Sequence, residues 1–148
     1  MARVLITGMS GAGKSTLLEA IERRGFHTVD TDYDGWEQAH AHWDEPRMSN
    51  LLAEYPTVAV CSIAENQGGF YDRFDHVIYL YVPLTVLLER VRARSANPYG
   101  KTPEQQADIT KYVEEVEPLI RRTATLELDG LLPIEVLAKR VEELLTSS

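Results

Sequence analysis

The chain has 148 residues, a formal charge of −8 from 23 acidic and 15 basic side chains, and a single cysteine. One domain is expected over residues 1–148, large enough to bury roughly two-thirds of its unfolded surface. The acidic balance argues against nucleic acid as the main partner, which needs clustered Lys and Arg, and one cysteine allows no internal disulfide. The start, Met-Ala-Arg-Val-Leu-Ile, is too short an apolar stretch for a signal peptide and no run reaches membrane-spanning length, so a cytoplasmic protein without a membrane partner, a monomer or weak homodimer, is expected.

In chain order, Arg3-Val-Leu-Ile-Thr7 reads as a short buried strand. Residues 8–15 then read Gly-Met-Ser-Gly-Ala-Gly-Lys-Ser, a complete G-x-x-x-x-G-K-[ST] phosphate-binding loop. Gly8, Gly11, Ala12 and Gly13 let the backbone curl so that N–H groups point at phosphate oxygens, with Thr16 in the first helical turn beyond them. Lys14 supplies charge for the β/γ-phosphates and Ser15 a hydroxyl for Mg²⁺. Leu17, Leu18 and Ile21 continue at helical spacing to a stop at Arg23-Arg24-Gly25.

Further strands are expected at 28–30, 58–61, 77–82 and 125–128, with helical periodicity between them: an α/β sandwich around a parallel sheet. Residues 77–82, Val-Ile-Tyr-Leu-Tyr-Val, lack polar alternation, which fits a central strand covered on both faces. Cys61 lies in the apolar run 58–61 and reads as a buried thiol. After Pro83, Leu84, Leu87, Leu88 and Val91 form one helical stripe while Arg90 and Arg94 share another; Arg92 points elsewhere. Residues 95–101, Ser-Ala-Asn-Pro-Tyr-Gly-Lys, read as a loop, and Thr102-Pro103-Glu104-Gln105 starts a helix with core stripe Ile109, Tyr112, Val113, Val116 and Ile120, which Pro118 should kink or break. A last helix opens at Pro133, with Leu137, Val141 and Leu145 on its apolar face.

Val29-Asp30-Thr31-Asp32 ends the second strand, on the edge where parallel strands converge on a ligand. A carboxylate beside phosphate needs a cation between them or a proton to accept. Asp30 therefore reads as a Mg²⁺ anchor and Asp32 as a contact or base for an acceptor hydroxyl, with a solvated turn through Asp30, Asp32 and Asp34 as the alternative.

Over residues 3–32 the chain resembles the small P-loop kinases of the shikimate kinase and adenylate kinase type, through Gly-x-Ser-Gly-Ala-Gly-Lys-Ser-Thr followed by Asp-Thr-Asp. The resemblance implies a three-layer α/β/α sandwich with a five-stranded parallel sheet in order 2-3-1-4-5. It implies that Asp30 serves the Mg²⁺ environment and Asp32 the acceptor. It also implies an arginine-bearing lid at about 94–102, with Arg94 as its catalytic arginine, and an adenine-cradling loop at 129–133 that contains Gly130. Where shikimate kinases carry a Gly-Gly-Gly turn after the third strand, this chain has Ser-Ile-Ala-Glu-Asn-Gln-Gly-Gly-Phe at 62–70, so that enzyme's carboxylate-binding surface is not recognisable.

The acceptor region of that family falls at about 33–55, which holds Trp36, His40, His42, Trp43, Asp44, Glu45 and Arg47. Arg47 is a candidate bidentate clamp for an anionic acceptor and either tryptophan a stacking surface; the alternative is packing for the tryptophans and an ion pair for Arg47. Asn66 and Gln67 are candidate amide donors to the acceptor, or simply a turn. His40 and His42, two apart on an expected helix, face opposite sides and make no zinc pair; His27 and His76 pack or cap. Arg121 and Arg122 precede the fifth strand and are candidates to reach the site, while basic residues at a helix end are also expected from the dipole alone.

The combined expectation is an ATP- and Mg²⁺-dependent phosphotransferase acting on a small molecule, with Lys14, Asp32 and Arg94 catalytic. The rival is a nucleotide-binding NTPase or switch without such an acceptor, which the absence of an Asn-Lys-x-Asp motif disfavours. A kinase-like toxin or antibiotic-modifying enzyme with a larger acceptor is a third possibility.

Overall fold

The computed structural model describes residues 1–9, 11–31, 33, 35–38, 42–63, 66–93 and 101–146. Seven strands and five helices follow in order: β1 (Arg3–Thr7), α1 (Lys14–Arg23), β2 (Thr28–Asp30), β3 (Glu37–Gln38), β4 (His42–Trp43), α2 (Glu45–Glu54), β5 (Val58–Cys61), a 3-10 helix (Gln67–Arg73), β6 (His76–Tyr81), α3 (Leu84–Ala93), α4 (Pro103–Thr123), β7 (Leu126–Asp129) and α5 (Ile134–Thr146).

β2, β5, β1, β6 and β7 lie side by side in that order, all parallel. Counted within this sheet alone, the order is second, third, first, fourth, fifth, the one that the motif resemblance implies. β6 and β7 sit one residue from their expected bounds, at His76–Tyr81 and Leu126–Asp129.

Each central strand is apolar in every direction because the sheet is covered on both sides. Val4, Ile6, Ala59, Cys61, Ile78 and Leu80 join Leu17 and Ile21 of α1 and Leu137, Val141 and Leu145 of α5 in one buried cluster. Leu5, Val58, Val60 and Val77 join Met48, Leu51 and Leu52 of α2, Phe70, Phe74 and both tryptophans in the other. Cys61 is a buried free thiol.

Three expectations change. Pro118 does not break its helix: α4 runs unbroken to Thr123. A proline removes one backbone hydrogen bond and crowds the preceding turn, but Pro118 is exposed and buried Ile120 anchors the end that follows it. Tyr112, expected in the core stripe, is 47% exposed. The region after β2 is not the helix assumed for the histidine pair; it contains the antiparallel β3–β4 hairpin, with His42 on β4, and His40 lies outside the described residues. The helix of this region begins later, where the Asp44 side chain caps it by accepting from Arg47 N at 3.2 Å.

One cross-layer contact ties β6 to α4: the Tyr79 hydroxyl donates to Glu117 Oε2 at 2.6 Å. Burial first, and the carboxylate second, push this phenol above its ordinary range. Behind the fifth strand, Gly130 is required by space. A Cβ there would lie 2.5 Å from Val82 Cγ2 and 2.8 Å from the Tyr81 carbonyl oxygen. Gly130→Ala is expected to cost about 1–3 kcal/mol through overpacking, read as a fall in the urea midpoint with the m-value unchanged.

Candidate active site

The loop between β1 and α1 is set by its glycines. Gly11 and Gly13 take the left-handed conformation, at φ 89° and 95°, where a Cβ is strained. Gly8 passes so close to β6 that a Cβ would meet the Leu80 carbonyl oxygen at 2.9 Å. Gly13 caps α1, whose first turn carries Lys14, Ser15 and Thr16, so the positive end of the helix faces the loop. Lys14 Nζ donates to the carbonyl oxygens of Gly8 and Met9 and is held within the loop it is expected to serve.

β2 delivers the second component. Ser15 Oγ donates to Asp30 Oδ2 at 2.7 Å, joining the end of the loop to the end of the second strand. A hydroxyl and a carboxylate at one point are two hard oxygen donors, the type Mg²⁺ takes when phosphates and water complete its shell. The predicted metal-binding pair is therefore assembled. Asp32 lies outside the described residues, as do Ser10, Asp34 and residues 94–100 of the lid expected at about 94–102, Arg94 among them.

A cleft of about 720 Å³ runs from this loop across Leu80 to Gly130, Leu131, Leu132 and Ile134. Gly8 apart, which packs behind it, the described loop residues expected to hold nucleotide (Gly11, Ala12, Gly13, Lys14, Ser15 and Thr16) line it together with Gly130. Arg90 lines it too, with Nη1 donating to the Gly11 carbonyl oxygen at 3.0 Å. The sequence placed Arg90 on the face shared with Arg94 but gave the role to Arg94. Arg92 is exposed. Arg121 pairs with Glu127 at 2.8 Å and Glu117 at 3.6 Å and lies over the Tyr81 ring, the helix-end role expected of it.

The expected acceptor residues are placed as supports. Trp43 is buried, with Nε1 donating to Ser62 Oγ at 2.8 Å and its ring set edgewise to Phe70. The Asn66 amide accepts from Trp43 N at 2.8 Å and donates to Trp43 O at 3.2 Å and Glu45 Oε2 at 2.9 Å. Gln67 is buried, its Nε2 donating to Thr7 Oγ1 and to the Tyr71 hydroxyl. Arg47, the candidate clamp for an anionic acceptor, lies over the Trp36 ring, 4.0 Å from its centroid. His27 stacks on Tyr55 at 4.0 Å, the packing role expected of it. Sequence reasoning passed over Tyr33, which is 63% exposed beside Ser15 at the cleft. A lone tyrosine after an Asp-x-Asp run carries no pattern by which to find it.

Residues 4–111 match the AAA domain family, and the chain belongs to that family. No curated protein matches it in sequence. Among solved structures, the shikimate kinase of Acinetobacter baumannii in complex with shikimate is similar at 19% identity, over 97% of this chain and 92% of that one, with a TM-score of 0.71. The shikimate kinase of Bacteroides thetaiotaomicron is similar at 23% identity over 99% of both chains, TM-score 0.71. A gluconokinase from Sinorhizobium meliloti is similar at 17% identity over 97% and 93%, TM-score 0.64. The fold is that of a small P-loop kinase.

Two substitutions separate the loop's charge from its hydroxyl. Lys14→Ala is expected to weaken MgATP binding at least tenfold by calorimetry. Ser15→Ala should leave metal-free ATP binding within about threefold of the native protein but remove most of the gain that Mg²⁺ brings.

Proposed function

We propose that this chain is an ATP- and Mg²⁺-dependent phosphotransferase acting on a small-molecule acceptor. The observation that carries the reading is the Ser15–Asp30 bond, which brings a second-strand carboxylate to the phosphate loop beside Lys14. A carboxylate so close to bound phosphates calls for a cation between them. The solved structures with this fold include the shikimate kinase bound to shikimate, the gluconokinase and a deoxyadenosine kinase from M. mycoides with bound dATP, each named for a small-molecule acceptor.

In this reading the loop N–H groups and the α1 N-terminus bind the polyphosphate, and the cleft to Gly130 takes the base and ribose. Lys14 leaves the loop carbonyls for the β/γ-phosphate oxygens. Ser15 and Asp30 would hold Mg²⁺, which would supply charge neutralisation at the phosphates. Arg90 fixes the loop from above, and Arg94 in the lid segment neutralises the migrating group. Asp32, two residues beyond Asp30, accepts the proton of the attacking hydroxyl and orients it for in-line displacement. Arg47 acts on the acceptor side through Trp36, Asn66 through Trp43, and Gln67 through Thr7, each holding a wall of the site.

The test follows labelled γ-phosphate from MgATP in the presence of nucleosides, nucleotides, sugars and cyclic polyols. Transfer into one pool is the expected result, and slow release as inorganic phosphate under every pool would instead mean an NTPase or switch. Asp32→Asn should lower transfer at least a thousandfold while leaving ATP affinity within about threefold. Equal loss of both would remove Asp32 from its assigned role.

A further inference from the structure

A second cavity, of about 510 Å³, lies on the flank of α1 and β2. It meets the nucleotide cleft at a shared wall, since Ser15 and Tyr33 line both. Its volume lies in the range of small-molecule sites. Over the end of β5, by contrast, the ground beside the loop is filled: Trp43 is 2% exposed, bonded to Ser62, and its main chain is gripped on both sides by Asn66. An acceptor reaching Ser15 and Asp30 therefore has room in the cavity along α1 and β2.

Among the described residues the lining of this cavity carries three carboxylates, Glu19, Glu22 and Asp30, and no lysine or arginine. Its imidazole, His27, is stacked on Tyr55, and Arg47 lies over the ring of Trp36 without joining the lining. Glu22 accepts from Thr28 Oγ1 through Oε2 alone, which leaves its other oxygen for a ligand. Tyr33 and Trp36 add aromatic surface at the end near Asp30. Ser15, Glu19 and Glu22 follow one face of α1, so the two glutamates stand about 6 and 10 Å along the helix axis from the Ser15 hydroxyl.

Resting on the phosphotransferase reading above, we propose that this cavity receives the acceptor and that the acceptor is a hydroxylated amine. Its hydroxyl lies at the Ser15–Asp30 end and its ammonium beside Glu19 and Glu22. A carboxylate or phosphate on the acceptor meets like charge along the same wall, so the site selects by repulsion as well as attraction. In the transfer step the acceptor oxygen forms a bond to the γ-phosphorus of ATP and the bond from that phosphorus to the β,γ-bridging oxygen breaks. ADP leaves, and the hydroxyl proton passes to the Asp32 carboxylate.

The experiment uses the full chain, labelled MgATP and three panels matched in hydroxyl pattern: amino sugars with aminocyclitols, neutral sugars with cyclitols, and sugar acids. The expected result is a kcat/KM for the best amine at least tenfold above that of any neutral or acidic probe. Glu19→Gln with Glu22→Gln should raise the KM for that amine at least tenfold while kcat and the KM for ATP stay within about twofold. Preference for a neutral or acidic probe would overturn the proposal while leaving the phosphotransferase standing, and so would an unchanged KM in a double variant that melts like the native protein. No transfer to any of the three panels, from protein that binds MgATP, overturns it as well, and the wider pools of the preceding test then decide whether the phosphotransferase reading falls with it.

Discussion

The three inner strands of the sheet, β5, β1 and β6, are buried on both faces, and from that constraint the placement of the chemistry follows. Strands covered on either side have no solvent-facing surface on which to carry a site, so the buried polar residues gather at strand ends. The buried polar residues fall there: Thr7 ends β1, Thr31 follows β2, Ser62 follows β5, and Gln67 opens the next turn. Each is bonded across to a neighbouring segment, Thr31 Oγ1 to the Cys61 carbonyl oxygen, Ser62 to Trp43 and Gln67 to Thr7. Left unbonded, each would cost on the order of 1–3 kcal/mol, so the floor of the site is specified as tightly as the core beneath it.

On this floor the loop and the acidic turn perform opposite electrostatic work. The chain is acidic overall, and the described cations at the loop are Lys14 and Arg90. Positive potential there comes as much from oriented backbone N–H groups and the α1 terminus as from side chains. Asp30 is tolerated so close because it bonds the Ser15 hydroxyl and, in the proposed reaction, faces a cation. The carboxylates farther along α1 then give the flank of the site a charge opposite to that of the loop, which separates the nucleotide end from the acceptor end.

How much of this was legible in the sequence depended on the range over which each feature is encoded. The phosphate loop is local: eight consecutive residues fix its conformation through glycine φ values and close approach. The capping box before α4 and the apolar stripes of α3 and α5 are equally local and were found. The β3–β4 hairpin was not, because strands of two residues show no period. That α4 continues past Pro118 to Thr123 was not legible, because the neighbours in space that hold its end are invisible in a single-chain pattern. The sequence signal for the start of α2, an Asp-Glu-Pro cap at residues 44–46, was present and went unused.

The amino-acid sequence by itself determined that this chain folds as a parallel α/β sandwich around a phosphate loop, since strand burial, helix stripes and loop glycines are written in neighbouring residues. Only the tertiary structure decided that Arg90 reaches the loop, that Trp43 with Asn66 and Ser62 seals one side, and that a cavity opens on the other. Those outcomes depend on which side chains from distant segments meet in space. A one-turn rotation of α3 or a slip of the hairpin would change them without altering any local preference, and close packing against the sheet removes those alternatives.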